Sequence, residues 1–131
     1  MKTVNGTLRR KHVLIVDDDI PLAWSLKETL EHDGYEATIV PDGGLALKFV
    51  QGHQLDAVVC DLQMSRVEGD LLYATIERLN PSLARRFVFI TGLDDYPQFQ
   101  KFIDTTALPA LYKPVVLEVL RGEVMRVAER R

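Results

Sequence analysis

The chain has 131 residues, 47% of them apolar, enough for one domain with a real core. A net charge of -3 gives no broad electrostatic footprint for nucleic acid, and no apolar run approaches the roughly 18 residues that span a bilayer. The single cysteine, Cys60, excludes an internal disulfide and a cysteine zinc cluster; with no secretory apolar segment, the expectation is a small soluble cytoplasmic domain without membrane insertion or direct nucleic-acid binding.

Residues 1–11 are polar and basic, with Asn5-Gly6 as a turn signal, and are expected to form a flexible tail ahead of one folded domain over 12–131. His12-Val13-Leu14-Ile15-Val16 is a continuous apolar strand ending at Asp17-Asp18-Asp19. Pro21 suits the first turn of a helix whose stripe, Leu22, Ala23, Leu26 and Leu30, runs to His32, and Gly34 stops it. A shorter strand is predicted over Tyr35 to Val40, then a helix marked by Leu45, Leu47, Phe49 and Val50 that ends near Gly52. Ala57-Val58-Val59-Cys60 reads as a central parallel strand buried on both faces, and it runs straight into Asp61. After a loop from Leu62 to Gly69, Leu71, Leu72, Ile76 and Leu79 mark a helix terminated by Asn80-Pro81. Phe87 to Ile90 is a strand ending at Thr91-Gly92, followed by a helix from about Tyr96 to Thr105. Leu108 to Tyr112 is a weaker fifth strand before Lys113-Pro114, and the last helix places Leu117, Leu120, Val124 and Val127 on one face.

Five strand–helix repeats predict a single doubly wound α/β domain, with five parallel strands and five helices on both faces. Right-handed crossovers put every strand's carboxyl end on one edge, where open α/β sheets bind ligands. The polar residues that interrupt the strands collect there: Asp17, Asp18 and Asp19, Asp61, Thr91 and Lys113. Carboxylates held together need a cation, and oxygen donors without His or Cys favour Mg²⁺ or Mn²⁺. With the Lys113 charge and the Thr91 hydroxyl, this set describes a phosphoryl site in which Asp61 is the nucleophile that becomes an acyl phosphate. Each feature has an ordinary reading by itself: a helix cap for Asp17 to Asp19, a turn for Thr91-Gly92, a solvated lysine for Lys113. His12, His32 and His53 are scattered, Cys60 reads as a buried strand residue, and Trp24 as packing or surface.

Val16-Asp17-Asp18, Asp61 with Met64 and Gly69 after it, Thr91-Gly92 and Lys113-Pro114 fall in order at the strand ends. In these motifs the chain resembles a response-regulator receiver domain of two-component signalling, from about His12 to Val127. The resemblance implies the flavodoxin-like strand order 2-1-3-4-5 and a signalling phosphoacceptor that catalyses only its own phosphorylation and dephosphorylation. It implies that Asp17, Asp18, Asp61 and the backbone carbonyl of Gln63 hold Mg²⁺. Asp61 would take phosphate from a phosphohistidine on a histidine kinase or histidine phosphotransfer protein, Thr91 would hydrogen-bond a phosphoryl oxygen, and Lys113 would pair with another. The Lys113-Pro114 peptide is often cis in the family, and the face formed by the fourth helix, fifth strand and fifth helix allows a homodimer.

Three departures from the family pattern stand out, the third at a pair of positions. Ser65 stands where proline is usual after Met64. Ala110 occupies the aromatic switch position three residues before Lys113, and Tyr112 is expected on the other side of that strand. Gln63 and Leu93 occupy positions that tune access of the attacking water, and apolar Leu93 is expected to slow dephosphorylation. Two further functions stay open: a phosphorylation-independent pseudo-receiver, kept alive by Ala110, and an aspartyl-nucleophile phosphatase, which needs an acid/base Asp where Gln63 stands. With the last helix closing at the chain's end, a stand-alone receiver, one from a hybrid histidine kinase and one from a longer regulator all fit, and Leu108 to Pro114 leans to the hybrid kinase.

Overall fold

A computed structural model describes residues 3–4, 7–64, 68–92 and 96–130. Within the stretch expected to be a flexible tail, β1 (Thr3–Val4) and β2 (Thr7–Leu8) pair antiparallel. The main sheet contains β3 (His12–Val16), β4 (Glu36–Val40), β5 (Ala57–Asp61), β6 (Phe87–Thr91) and β7 (Ala110–Tyr112). All pairings are parallel, in the order β4-β3-β5-β6-β7. Counted among themselves these strands run 2-1-3-4-5, the flavodoxin-like order expected.

The helices are α1 (Ile20–His32), α2 (Gly43–Gly52), α3 (Gly69–Leu79), α4 (Pro81–Ala84), α5 (Tyr96–Thr106) and α6 (Leu117–Ala128). Among the described residues six replace the five expected, and α4 is the addition. Asn80-Pro81 does end α3, but Pro81 also has the φ that opens a helix, and the Asn80 side chain accepts from Leu83 N at 3.1 Å. Leu83 and Ala84 are buried, so this single turn is held by the core rather than by its length. At the end of α1, Gly34 adopts φ +95°, the left-handed stop that its position suggested.

Period-two alternation splits the core into two layers. Leu14, Val16, Val58, Cys60, Phe87 and Phe89 pack with α2, α3, α4 and α5. Val13, Ile15, Ala57, Val59, Val88 and Ile90 pack with α1 and α6. Strands β3, β5 and β6 are therefore apolar on both faces, which is why their sequences show no polar alternation. Tyr73 of α3 meets Phe87, Phe89 and Phe102 edge-on, tying α3 and α5 to β6.

The same alternation corrects the expectation for Tyr112. Ala110 packs on the α5 layer and Leu111 on the α1–α6 layer. Tyr112, two residues after Ala110, therefore returns to the Ala110 face rather than the opposite one.

Candidate functional site

Parallel registry brings the acidic residues together. Val16 is level with Cys60, so Asp17 and Asp61 leave neighbouring strands side by side at the carboxyl edge. Lys113 N donates to Thr91 O at 2.9 Å and Leu62 N to Ile90 O at 2.9 Å, which carries the sheet pairing to the rim. Asp17 is 1% exposed, Asp61 2% and Thr91 0%, while Asp18 is exposed.

The two buried carboxylates differ in how their oxygens are met. Asp17 Oδ1 accepts from Asp19 N at 2.8 Å, whereas Asp17 Oδ2 is buried without a hydrogen-bond partner among the described residues. Asp61 Oδ1 accepts from Gln63 N at 3.1 Å, and Asp61 Oδ2 faces Lys113 Nζ at 3.3 Å. One oxygen from each of Asp17, Asp18 and Asp61 lies within 4.8 Å of the others. Asp19 takes the ordinary role instead: its side chain caps α1 by accepting from Leu22 N at 3.2 Å. The acidic triplet is thus divided between a site and a helix cap.

Burial lifts the Asp17 carboxyl from 3.8 to about 7, with the neighbouring Asp61 charge adding to the rise and the Asp19 N–H opposing it. Burial raises Asp61 as well, against the pull of Lys113 and the Gln63 N–H. Burial alone would lower Lys113, but Asp61 and Asp17 together hold it above its ordinary value. One lysine thus faces two nearly sealed carboxylates and a third at the rim. The orphaned Asp17 oxygen and the all-oxygen donor set fit a hard divalent cation, which would supply the missing charge.

The supporting positions are placed as follows. A Cβ on Gly69 would collide with the Asp61 carbonyl oxygen and come within 2.8 Å of Leu62 Cα, so only glycine lets α3 start against the end of β5. Met64 is buried in the α2–α5 layer, and Gln63 presents its side chain outward. Thr91 Oγ1 contacts Gly92 O at 3.4 Å. The Lys113–Pro114 peptide is cis. Ser65 and Leu93 lie outside the described residues.

Sequence reasoning missed a second polar cluster, at the amino edge of the sheet. Arg9 Nη1 and Nη2 reach Asp56 at 3.3 and 3.1 Å, and Asp56 also accepts from His12 N at 2.8 Å. Arg9 and Asp56 are 47 positions apart, so no local spacing signals the pair.

The response regulator receiver domain family matches residues 13–125. The response regulator MprA of Mycobacterium sp. strain KMS is 31% identical over 119 residues, which is 91% of this chain and 50% of that protein. The transcriptional regulatory protein ZraR of Escherichia coli K12 is 29% identical over 110 residues, 84% of this chain and 24% of that protein. The chain therefore spans half or less of these relatives. A CheY-like response regulator receiver domain protein from Methanospirillum hungatei JF-1 superposes with a TM-score of 0.80 at 25% identity, covering 92% of this chain and 95% of that one. Among the described residues no helix is long and apolar enough to cross a membrane.

Proposed function

The chain belongs to the response regulator receiver domain family, and from that premise we propose that it is the phosphoacceptor of a two-component phosphorelay with Asp61 as acceptor. The observation that carries this reading is a nearly sealed Asp61 carboxylate, 2% exposed, with Lys113 Nζ at 3.3 Å and the orphaned Asp17 oxygen beside it. An Asp61 oxygen attacks the phosphorus of a phosphohistidine on a histidine kinase or phosphotransfer protein. The new P–O bond replaces the P–N bond, and the departing imidazole, protonated on its other ring nitrogen, leaves as the neutral base.

Asp17, Asp18, Asp61 and the Gln63 carbonyl would hold Mg²⁺, which when bound offsets the carboxylate and phosphoryl charges. Lys113 neutralises part of the charge on the incoming oxygens, and the Thr91 hydroxyl donates to one of them. Gly69 keeps the backbone behind Asp61 close enough to fix its approach. Exposed Val116, Leu117 and Val119 support a homodimer through α5, β7 and α6.

Incubation with acetyl phosphate, a small phosphodonor that needs no partner, tests the assignment by intact mass. One phosphoryl group is expected, dependent on Mg²⁺ and lost in Asp61→Asn. No gain in folded protein would favour a module that binds its partner regardless of phosphate.

A further inference from the structure

The amino edge of the sheet, opposite Asp61, holds a cavity of about 620 Å³, within the size range of small-molecule sites. Arg9, Lys11, Asp56, Asn80, Arg86 and Arg130 line it. Its charge is unbalanced. Both Asp56 oxygens are taken by Arg9, and one of them also by His12 N. Lys11 Nζ donates to Ala128 O at 3.0 Å and lies 3.8 Å from Glu129. Arg86 and Arg130 have no ion pair among the described residues. Arg86 Nη2 donates to Leu55 O at 3.2 Å and Arg130 Nη1 to Arg85 O at 2.9 Å. Arg86 Nε is closed off from water and has no acceptor among the described residues. Two guanidinium groups, neither in an ion pair among the described residues, thus flank a polar cavity that Asp56 and Glu129 also line, in a chain whose net charge is -3.

Planar guanidinium forks match the oxygens of carboxylates and phosphates, and a buried donor without an acceptor is rare in folded proteins. We propose that this cavity binds a small oxyanion, held between Arg86 and Arg130, at a site separate from the phosphoacceptor. The bound group accepts from the guanidinium nitrogens that the two arginines present to the cavity. Burial also works against the Arg86 charge, the Asp56 charge offsets part of that penalty, and a bound anion adds to the offset.

Amide NMR titration of the full chain tests this without Mg²⁺ at constant ionic strength, using pyrophosphate in one arm and succinate in the other. Saturable shifts at Leu55, Asp56, Asn80 and Arg86 are expected, and the tighter arm tells a phosphate from a carboxylate ligand. Arg86→Gln should weaken binding by about tenfold or more, the scale of one charge-assisted hydrogen bond. Arg86→Lys keeps the charge but loses the fork, and should recover only part of the affinity if the wild-type spectrum is otherwise preserved. Shifts that do not saturate in either arm, shifts confined to residues around Asp17 and Asp61, or equal affinity in wild type and Arg86→Lys would overturn the proposal.

Discussion

Asp17 has an ordinary carboxyl value of 3.8 and a folded value of about 7, because burial penalises its charge. The folded chain keeps a proton that the unfolded chain has released between those values, so the native state binds more protons there. Stability of the metal-free protein therefore falls as pH rises from about 4 to about 7. The raised Asp61 carboxyl adds to the same slope. Thermal melts of metal-free protein should give a higher Tm near pH 5 than near pH 7.5, and Asp17→Asn should flatten the difference. A Tm that rises across that window would contradict the electrostatic account. By residue type and spacing alone Asp17, Asp18 and Asp19 are equivalent; the family motif singles out Asp17 and Asp18, and the backbone geometry gives Asp19 the cap. Asp19 N bonds Asp17 while Asp19 itself caps α1, a division that three consecutive aspartates do not announce.

At the scale of elements, the start of α3 is the tightest constraint on the site. Gly69→Ala would press a methyl group into the Asp61 carbonyl and the Leu62 backbone, for an expected loss of about 1–3 kcal/mol in chemical denaturation. Unchanged stability would mean that α3 shifts freely at its first turn. Past α5, Ala107 holds φ 56°, where an L side chain is strained. Ala107→Gly should raise the denaturation midpoint, by about 0.5–1 kcal/mol in stability. Phe89 is fully buried between Tyr73 and Phe102, and Phe89→Ala should cost about 3–5 kcal/mol by the same measurement. Elements of this kind were legible because β3, β5 and β6 are apolar on both faces and stop at a polar residue. The one-turn α4 was not, since four residues carry no periodicity and only the burial of Leu83 and Ala84 holds it. Tyr112 lies two residues after Ala110 and so shares its face, because Leu111 between them packs on the opposite layer.

Across the whole molecule, the sheet separates two charged edges. Its carboxyl edge gathers Asp17, Asp18 and Asp61, and its amino edge gathers Arg9, Arg86 and Arg130. The first was readable because each residue interrupts an apolar strand at its end, and the strand pattern itself points to a common rim. The second was not, because its members lie in loops and at the chain's flanks, where no period links Arg9 to Asp56. A cation that binds only the folded carboxyl edge stabilises the whole domain by mass action. Mg²⁺ at about 100 times its dissociation constant should add about 2.7 kcal/mol, seen as a rise in Tm that Asp17→Asn abolishes. No rise, with Mg²⁺ binding absent by calorimetry, would remove the cation from the account.

Asp61 is the side chain proposed to carry the phosphoryl group. Borohydride reduction of phosphodonor-treated protein, followed by peptide mapping, tests this assignment most directly, because reduction converts an aspartyl phosphate to homoserine and leaves free carboxylates untouched. Homoserine at position 61 alone is the predicted result. Homoserine at Asp17 or Asp18, or none in protein that has gained a phosphoryl group, would contradict it.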